Sequence, residues 1–248
     1  MLVFDDVTTL IQAQRDAAWG EVARRLAHEI KNPLTPIQLS AERLRRRYLA
    51  RMDADEAEIL DRATHTIVNQ VDAMKKMVNA FSEYARVPQI SMKPMDLNQL
   101  VREVLDLYRS SELKTQILEQ LTPENAWIEG DNGRLRQLLH NLLKNALEAV
   151  KDVADARITV TTRNIDGDRR NRIELCVEDN GPGIEAGVLE NIFDPYVSTK
   201  PKGSGLGMAI VKKIIEEHGG TISAGSSEDG GAQIRIHLLL LDNVVQGT

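Results

Sequence analysis

Between residues 60 and 85 the apolar side chains Leu60, Ile67, Val71, Met74, Val78, Phe81 and Ala85 recur at intervals of seven, four, three, four, three and four. Such a seam marks helices packed side by side. An upstream series, Val22, Leu26, Ile30, Leu34, Ile37, Ala41 and Leu44, has the same three-and-four spacing, and the polar stretch RMDADEAE separates the two. Two helices joined by a short turn make a hairpin that buries only one face. Pairing two hairpins as a four-helix bundle completes the core, so the pattern predicts a homodimer.

The rest of the chain reads differently. Two prolines in RVPQISMKPM, residues 86–95, mark a linker. Beyond it the spacing predicts helices over 96–111 (from the cap-like Asp96), 131–150 and 205–218, and strands over 157–163, 172–178 and 232–240. Helices layered on a mixed sheet make an α+β sandwich. Residues 1–7, MLVFDDV, read as a lone strand.

Composition narrows the function. The 248 residues are 27% charged and 42% hydrophobic, ordinary for a soluble protein. No apolar run reaches the roughly 18 residues of a membrane span, and there is no signal-peptide pattern. The single cysteine, Cys176, can form neither an internal disulfide nor a metal site alone and reads as a buried structural thiol. A reducing, cytoplasmic setting is expected. The net charge of −6 is uneven: residues 1–90 hold 13 basic and 13 acidic residues, the remainder 18 and 24. That balance argues against a nucleic-acid surface. The arginines of RLRRR, residues 43–47, spread around more than half a helix and read as a solvated face.

Candidate chemistry starts in AHEIKNPLTPIQL, residues 27–39. At about 100° per residue His28 lies roughly 160–200° from Leu26 and Ile30, so it points into water. Neutral histidine is a competent nucleophile, and a neighbouring carboxylate such as Glu29 can accept its proton. Asn32, one turn on, shares the face of His28 and could position a water. Pro33 and Pro36 loosen the backbone just beyond; a plain surface histidine beside a structural kink is the bland alternative.

Three further clusters lie in residues 134–207. RLRQLLHNLLKNALEAV sets Asn141, Lys144 and Asn145 on one helical stripe, although asparagine disfavours helix interiors. Amide oxygens are ligands Mg²⁺ accepts alongside phosphates; an amide pair bonding a neighbouring helix is the alternative. EDNGPGIE follows a strand with Asp179 and a Gly-Pro-Gly turn, which suits an exocyclic amine beside closely approaching backbone, or an ordinary turn. STKPKGSGLGMAIVKKI places Gly203, Gly205 and Gly207 before a helix, with Lys200 and Lys202 ahead of them. That is an anion site, though not a Walker loop.

Together these segments resemble the sensor histidine kinases of two-component systems, with the Bergerat (GHKL) ATP-binding fold in the second half. HEIKNPL looks like the H-box, NLLKNALEA the N-box, DNGPGI the G1 box, FDPYVSTK the F-box and GSGLGMAI the G2 box. RLAHEIKNPLTPIQLSAERLRRRY is most like the nitrogen-regulation kinases of the NtrY type. The resemblance implies that residues 1–9 end an upstream PAS-like domain, 10–88 form the dimerisation and phosphotransfer domain, 89–95 a linker, 96–242 the ATP-binding domain and 243–248 a tail. His28 would take the γ-phosphoryl group of ATP, with Glu29 as base, and pass it to an aspartate of a response regulator; Asn32 would position a hydrolytic water for phosphatase activity. Asn145 and Asn141 would hold Mg²⁺, with Lys144 nearby. Asp179 would bind the adenine amine, with Gly181, Gly183 and Ile184 around it. Residues 194–205 would form the mobile lid, including Thr199, Gly203, Ser204 and Gly205, with Lys200 and Lys202 available to the phosphates, and Leu206 and Gly207 would also bind the nucleotide. Any membrane anchor, in the inner membrane, would lie upstream of this chain.

Two departures carry consequences. Asn141 stands where ATP-hydrolysing relatives of the fold carry a glutamate base, so slow ATP hydrolysis is expected. Ala232 stands where relatives often carry a threonine that helps hold adenine, a loss of about 1 kcal/mol. The rival readings are a GHKL ATPase on a dimerisation stalk, and an ATP-binding pseudokinase or dimeric scaffold acting mainly as a phosphatase.

Overall fold

The structure is a computed structural model and describes residues 8–85, 90–109, 115–165, 171–198, 203–227 and 230–241, with side chains from residue 20 onward except residue 24. The expected strand at 1–7 and tail at 243–248 lie outside these residues. The chain divides into two compact units, the second beginning at Ile90. Among the described residues no helix is long and apolar enough to cross a membrane.

The first unit is the predicted hairpin. Helix α1 runs from Thr8 to Tyr48 and helix α2 from Ala54 to Ala85, joined by a short 3-10 turn at Leu49–Arg51. The carboxylate of Asp53 starts α2 by accepting from the Glu56 N–H at 2.9 Å, an N-cap interaction. Near the turn both Nε and Nη2 of Arg45 donate to Asp61 Oδ1, at 3.0 and 2.7 Å. The helix α1 continues through Pro33 and Pro36.

The seam is divided more finely than its spacing suggests. Inside the hairpin lie Ala23, Ala27, Leu34 and Ala41 of α1 and Thr64, Val71, Val78 and Ala85 of α2. Small alanines let the helices approach closely, and Thr64 satisfies its hydroxyl on the Leu60 carbonyl at 2.7 Å. Val22, Leu26, Ile30, Ile37, Leu44, Ile67 and Met74 remain at least 40% exposed within one chain. One seam thus yields two stripes, one closing the hairpin and one facing outward.

In the second unit strand β1 (Lys93–Asp96) lies where the linker was expected. Its partner is β3 (Trp127–Gly130), antiparallel, with Lys93 opposite Gly130. Pro94 misled the sequence reading; an edge strand tolerates it, because no ladder donor is needed on its open side. The remaining strands, β2 (Gln116–Gln120), β4 (Arg157–Ile165), β5 (Arg172–Asp179), β6 (Thr221–Ser226) and β7 (Ala232–Leu239), form one sheet in the order β2-β4-β5-β7-β6, with β2 and β4 parallel and the other neighbours antiparallel. Strands β1, β2, β3 and β6 were not foreseen. They are four to six residues long, too short for alternation to stand out.

The longer helices are α3 (Leu97–Arg109), α4 (Asn132–Ala149) and α6 (Gly207–Glu217), with a short α5 at Ala186–Leu189. Asp96 caps α3 as expected, its Oδ1 accepting from the Asn98 and Gln99 amides at 2.8 and 3.3 Å. Beneath α3 a polar cluster is fully satisfied: Asn98 Nδ2 donates to the Thr122 carbonyl at 2.8 Å and Thr162 Oγ1 donates to Asn98 Oδ1 at 2.7 Å. Removing one member strands the others. Asn98→Ala is expected to cost about 2 kcal/mol, read as a lower denaturation midpoint with an unchanged slope.

On β5, Cys176 is buried, and burial with the neighbouring Glu178 and Glu174 pushes its thiol up to about 12. It is the inert structural thiol expected. Glu174, also buried, meets Arg163 Nε at 2.7 Å and His237 Nε2 at 2.9 Å across the sheet.

Candidate functional site

Helix α4 is the backbone of the site. The cap residue Asp131 accepts from the Arg134 amide at 3.0 Å, and Leu135, Leu138, Leu139, Leu142, Leu143 and Ala146 fill the core. That apolar stripe leaves Asn141 and Asn145 half-buried on the next face, while Lys144 is exposed. Asn141 Nδ2 is buried with no hydrogen-bond partner among the described residues. Among the described residues Asn145 Nδ2 meets only the weak acceptor Met208 Sδ, at 3.1 Å. Native structures rarely leave buried amides so poorly satisfied, and both suit a ligand that brings polar groups of its own.

Two other segments meet this helix. A side chain built on Gly207 would come within 3.9 Å of Asn145 Nδ2, so the first turn of α6 lies against Asn145. Its N-cap residue, Leu206, gives it no side-chain cap. The positive dipole end of such a helix suits an anion. The side chain of Leu206 is fully buried, so it can serve a ligand only through its backbone. At the same end of α4, one turn on, a side chain on Gly181 would lie 3.1 Å from the Ala149 carbonyl, so the turn after β5 packs there.

That turn is held by Asp179, itself buried, whose Oδ1 accepts from the Gly181 amide at 2.9 Å and the Ala232 amide at 3.3 Å. Position 232 therefore contacts Asp179 through its main chain. Gly183 has φ +78° and stands against the Gly230 carbonyl, where a side chain would come within 2.7 Å. Ile184 is half-buried beside it. Sequence reasoning missed Ser227 and Gly231. Ser227 Oγ donates to the Asp179 carbonyl at 3.1 Å and accepts from the Gly231 amide at 2.9 Å. The only signal for them was the glycine pair 230–231 ahead of a strand.

The glycine turn before α6 is built on a close approach. Tyr196 donates its amide to the Gly205 carbonyl at 2.9 Å, and a side chain at Gly205, φ +67°, would sit 2.5 Å from the Tyr196 backbone. Tyr196 itself has φ +69° and an exposed ring. Gly203 is exposed and Ser204 half-buried. Thr199, Lys200 and Lys202 lie outside the described residues.

In the first unit His28, Glu29 and Asn32 are all exposed on α1, although Leu26 and Ile30, from which the angle was reckoned, are exposed too and Ala27 and Leu34 are the buried neighbours. The Glu29 carboxylate accepts from Arg25 Nε, one turn back, at 3.0 Å. Both partners are well exposed, so the pair is weak and readily exchanged.

Ahead of Asn141 on α4, Tyr108 Oη lies 3.0 Å from His140 Nδ1. Burial, aided by Arg136, holds the His140 imidazole below its ordinary value of 6.5. The folded state thus prefers neutral His140, the unfolded chain takes up more protons as pH falls below 6.5, and stability is lost in that window. A further loss below pH 4.5 follows from Glu174: burial alone would raise its carboxyl, but His237 and Arg163 hold it below the usual value. Chemical denaturation across pH should show both declines, and His140→Gln should remove the upper one.

Residues 18–89 match the His Kinase A (phospho-acceptor) domain, and residues 130–242 match the histidine kinase-, DNA gyrase B- and HSP90-like ATPase family. The nitrogen regulation protein NtrY of Azorhizobium caulinodans is 41% identical over 244 residues, covering 96% of this chain and 31% of that protein. The chain spans about a third of the length of such relatives. Among solved structures, histidine kinase ThkA in complex with response regulator protein TrrA matches with a TM-score of 0.66 at 28% identity, covering 96% of this chain and 68% of that one. Full-length ShkA in complex with AMPPNP gives 0.65 at 27%, covering 90% and 47%. With a phospho-acceptor hairpin followed by an ATPase-type sandwich, the chain belongs to the histidine kinases.

Proposed function

We propose that the chain is the catalytic core of a sensor histidine kinase that phosphorylates its own His28 from Mg²⁺-ATP and passes the group to an aspartate of a response regulator, in nitrogen-related signalling. The observation that carries this reading is the convergence of Asn145 and Asn141 with the first turn of α6, in a family whose other domain presents His28 to solvent. Asp179 would receive the adenine amine, and the α6 turn the phosphates. Asn145 and Asn141 would hold Mg²⁺, which when bound neutralises charge on the phosphates.

A ring nitrogen of His28 attacks the γ-phosphorus, the bond to the ADP oxygen breaks, and an N–P bond forms. The proton displaced from the imidazole passes to Glu29, which first exchanges its bond to Arg25. Catalysis is otherwise positioning and charge neutralisation. An amide at position 141 cannot take a proton from water, which supports slow hydrolysis. Asn32, exposed on the face of His28, supports a phosphatase activity towards the partner as well. The outward apolar stripe of the hairpin supports a homodimer with a four-helix core. The NtrY likeness supports the nitrogen-related setting.

The test is incubation with γ-labelled ATP and Mg²⁺. The expected product is an acid-labile, base-stable label that moves to a receiver domain, and Asn145→Ala should weaken nucleotide binding at least tenfold. Steady phosphate release without protein label would identify an ATPase instead.

A further inference from the structure

Helices α4 and α6 run antiparallel and are joined at both ends. At one end Asn145 meets Met208, beside the proposed phosphate turn. At the other, Arg134 Nε and Nη2 donate to Glu217 Oε2 at 3.1 and 2.7 Å, in a pair whose side chains are only 13% and 14% exposed. Next to that pair Asp131 is bonded by three segments. Its Oδ1 caps α4, its Oδ2 accepts from the Ser91 amide at 2.9 Å, and its own amide donates to His218 Nε2 at 3.0 Å. A backbone N–H can only donate, so Nε2 is the acceptor. The His218 proton then sits on Nδ1, which donates to the Ile214 carbonyl at 2.7 Å. His218 is buried, and Gly130 packs against it closely, since a side chain there would come within 3.4 Å of its ring and 2.8 Å of Leu135.

An ordinary helix cap needs only one of these bonds. Here the same residue fixes three things: where the chain arrives from the hairpin, where α4 begins and where α6 ends. Residues 131 and 145 are about 21 Å apart along a rigid helix. Helix α4 is thus the element that joins Asp131 to the Asn145–Gly207 approach.

We propose that Asp131 and His218 are positioning residues for the nucleotide site, and that through the Ser91–Asp131 bond the placement of the arriving chain and nucleotide binding are coupled. The proposal rests on the reading of that site as a nucleotide site. Coupling of this kind is reciprocal: whatever loosens Ser91 weakens nucleotide binding, and nucleotide tightens the bond at Ser91.

The experiment uses the whole chain and a fluorescent ATP analogue with Mg²⁺. Ser91→Pro deletes one donor, His218→Phe deletes both ring contacts, and His218→Gln restores an acceptor at the position of Nε2. In the wild type, nucleotide is expected to slow hydrogen exchange at the Ser91 and Asp131 amides at least threefold. Ser91→Pro and His218→Phe should weaken nucleotide binding three- to tenfold, with His218→Gln close to the wild type. Wild-type affinity in a folded Ser91→Pro variant, or exchange at both amides indifferent to nucleotide, overturns the coupling. If Ser91→Pro fails to fold, the exchange measurement on the unaltered chain decides. A wild-type chain that binds no nucleotide overturns the site reading itself, which the first titration reveals.

Discussion

His28→Gln is expected to lower label uptake from γ-labelled ATP by more than a thousandfold while leaving the nucleotide dissociation constant within twofold of the wild type. Glutamine keeps the length, polarity and helix propensity of the position but offers no nucleophilic nitrogen. Because His28 is exposed on α1 while Asn141, Asn145 and Asp179 belong to the other unit, the substitution removes chemistry without removing packing. Circular dichroism and melting temperature should therefore not change. Acid-labile label retained in this variant would place the acceptor on another residue. Loss of nucleotide binding would show that the two units are not functionally separable.

The second large effect is expected at Gly231. A side chain there would lie 1.9 Å from the Asp179 carbonyl oxygen, 2.6 Å from its carbon and 2.9 Å from the Asn180 Cα, all backbone atoms of the strand end and turn that orient Asp179. No rotamer relieves such a clash. Either the start of β7 or the Asp179 turn must move by more than an ångström, and the Ser227 bonds on both sides fail with it. Gly231→Ala should cost about 3 kcal/mol, lower the melting temperature by about 10 °C and reduce nucleotide binding beyond detection. Gly187→Ala is the control, because a side chain there meets nothing within 4 Å. A Gly231→Ala protein with wild-type melting and affinity would refute the close approach.

What could be read from the sequence was whatever repeats or stands out chemically. The long seam of α2, the cap Asp96 and the buried strands β4, β5 and β7 each announce themselves, since burial imposes a period on many residues at once. His28 is exposed as expected, but the buried side of its helix is set by Ala23, Ala27 and Leu34 rather than by Leu26 and Ile30. The stripes that close the hairpin did not: alanine at 23 and 27 carries little hydrophobic signal, yet those positions are nearly inaccessible while Val22 and Leu26 are open. Strand β1 was hidden by Pro94, whose usual meaning is a break. At the candidate site, Asn141, Asn145, Asp179 and the glycines were legible as chemistry out of place. Ser227 and Gly231 were not, because their work depends on a backbone approach between segments about 50 residues apart, for which local pattern has no symbol.

The two prolines of α1 have a last consequence. Each lacks the N–H that would reach back four residues, so the carbonyls of Glu29 and Asn32 lose their intrahelical donors within one turn of His28. Leu34, set between the prolines and only 5% exposed, bolts that stretch to the hairpin from the opposite side. Curvature at the turn that carries His28 can therefore change without rupturing a main-chain bond, while the lipophilic bolt keeps the two helices together. Water drawn to those oxygens would stand beside the side chain proposed to carry the phosphoryl group.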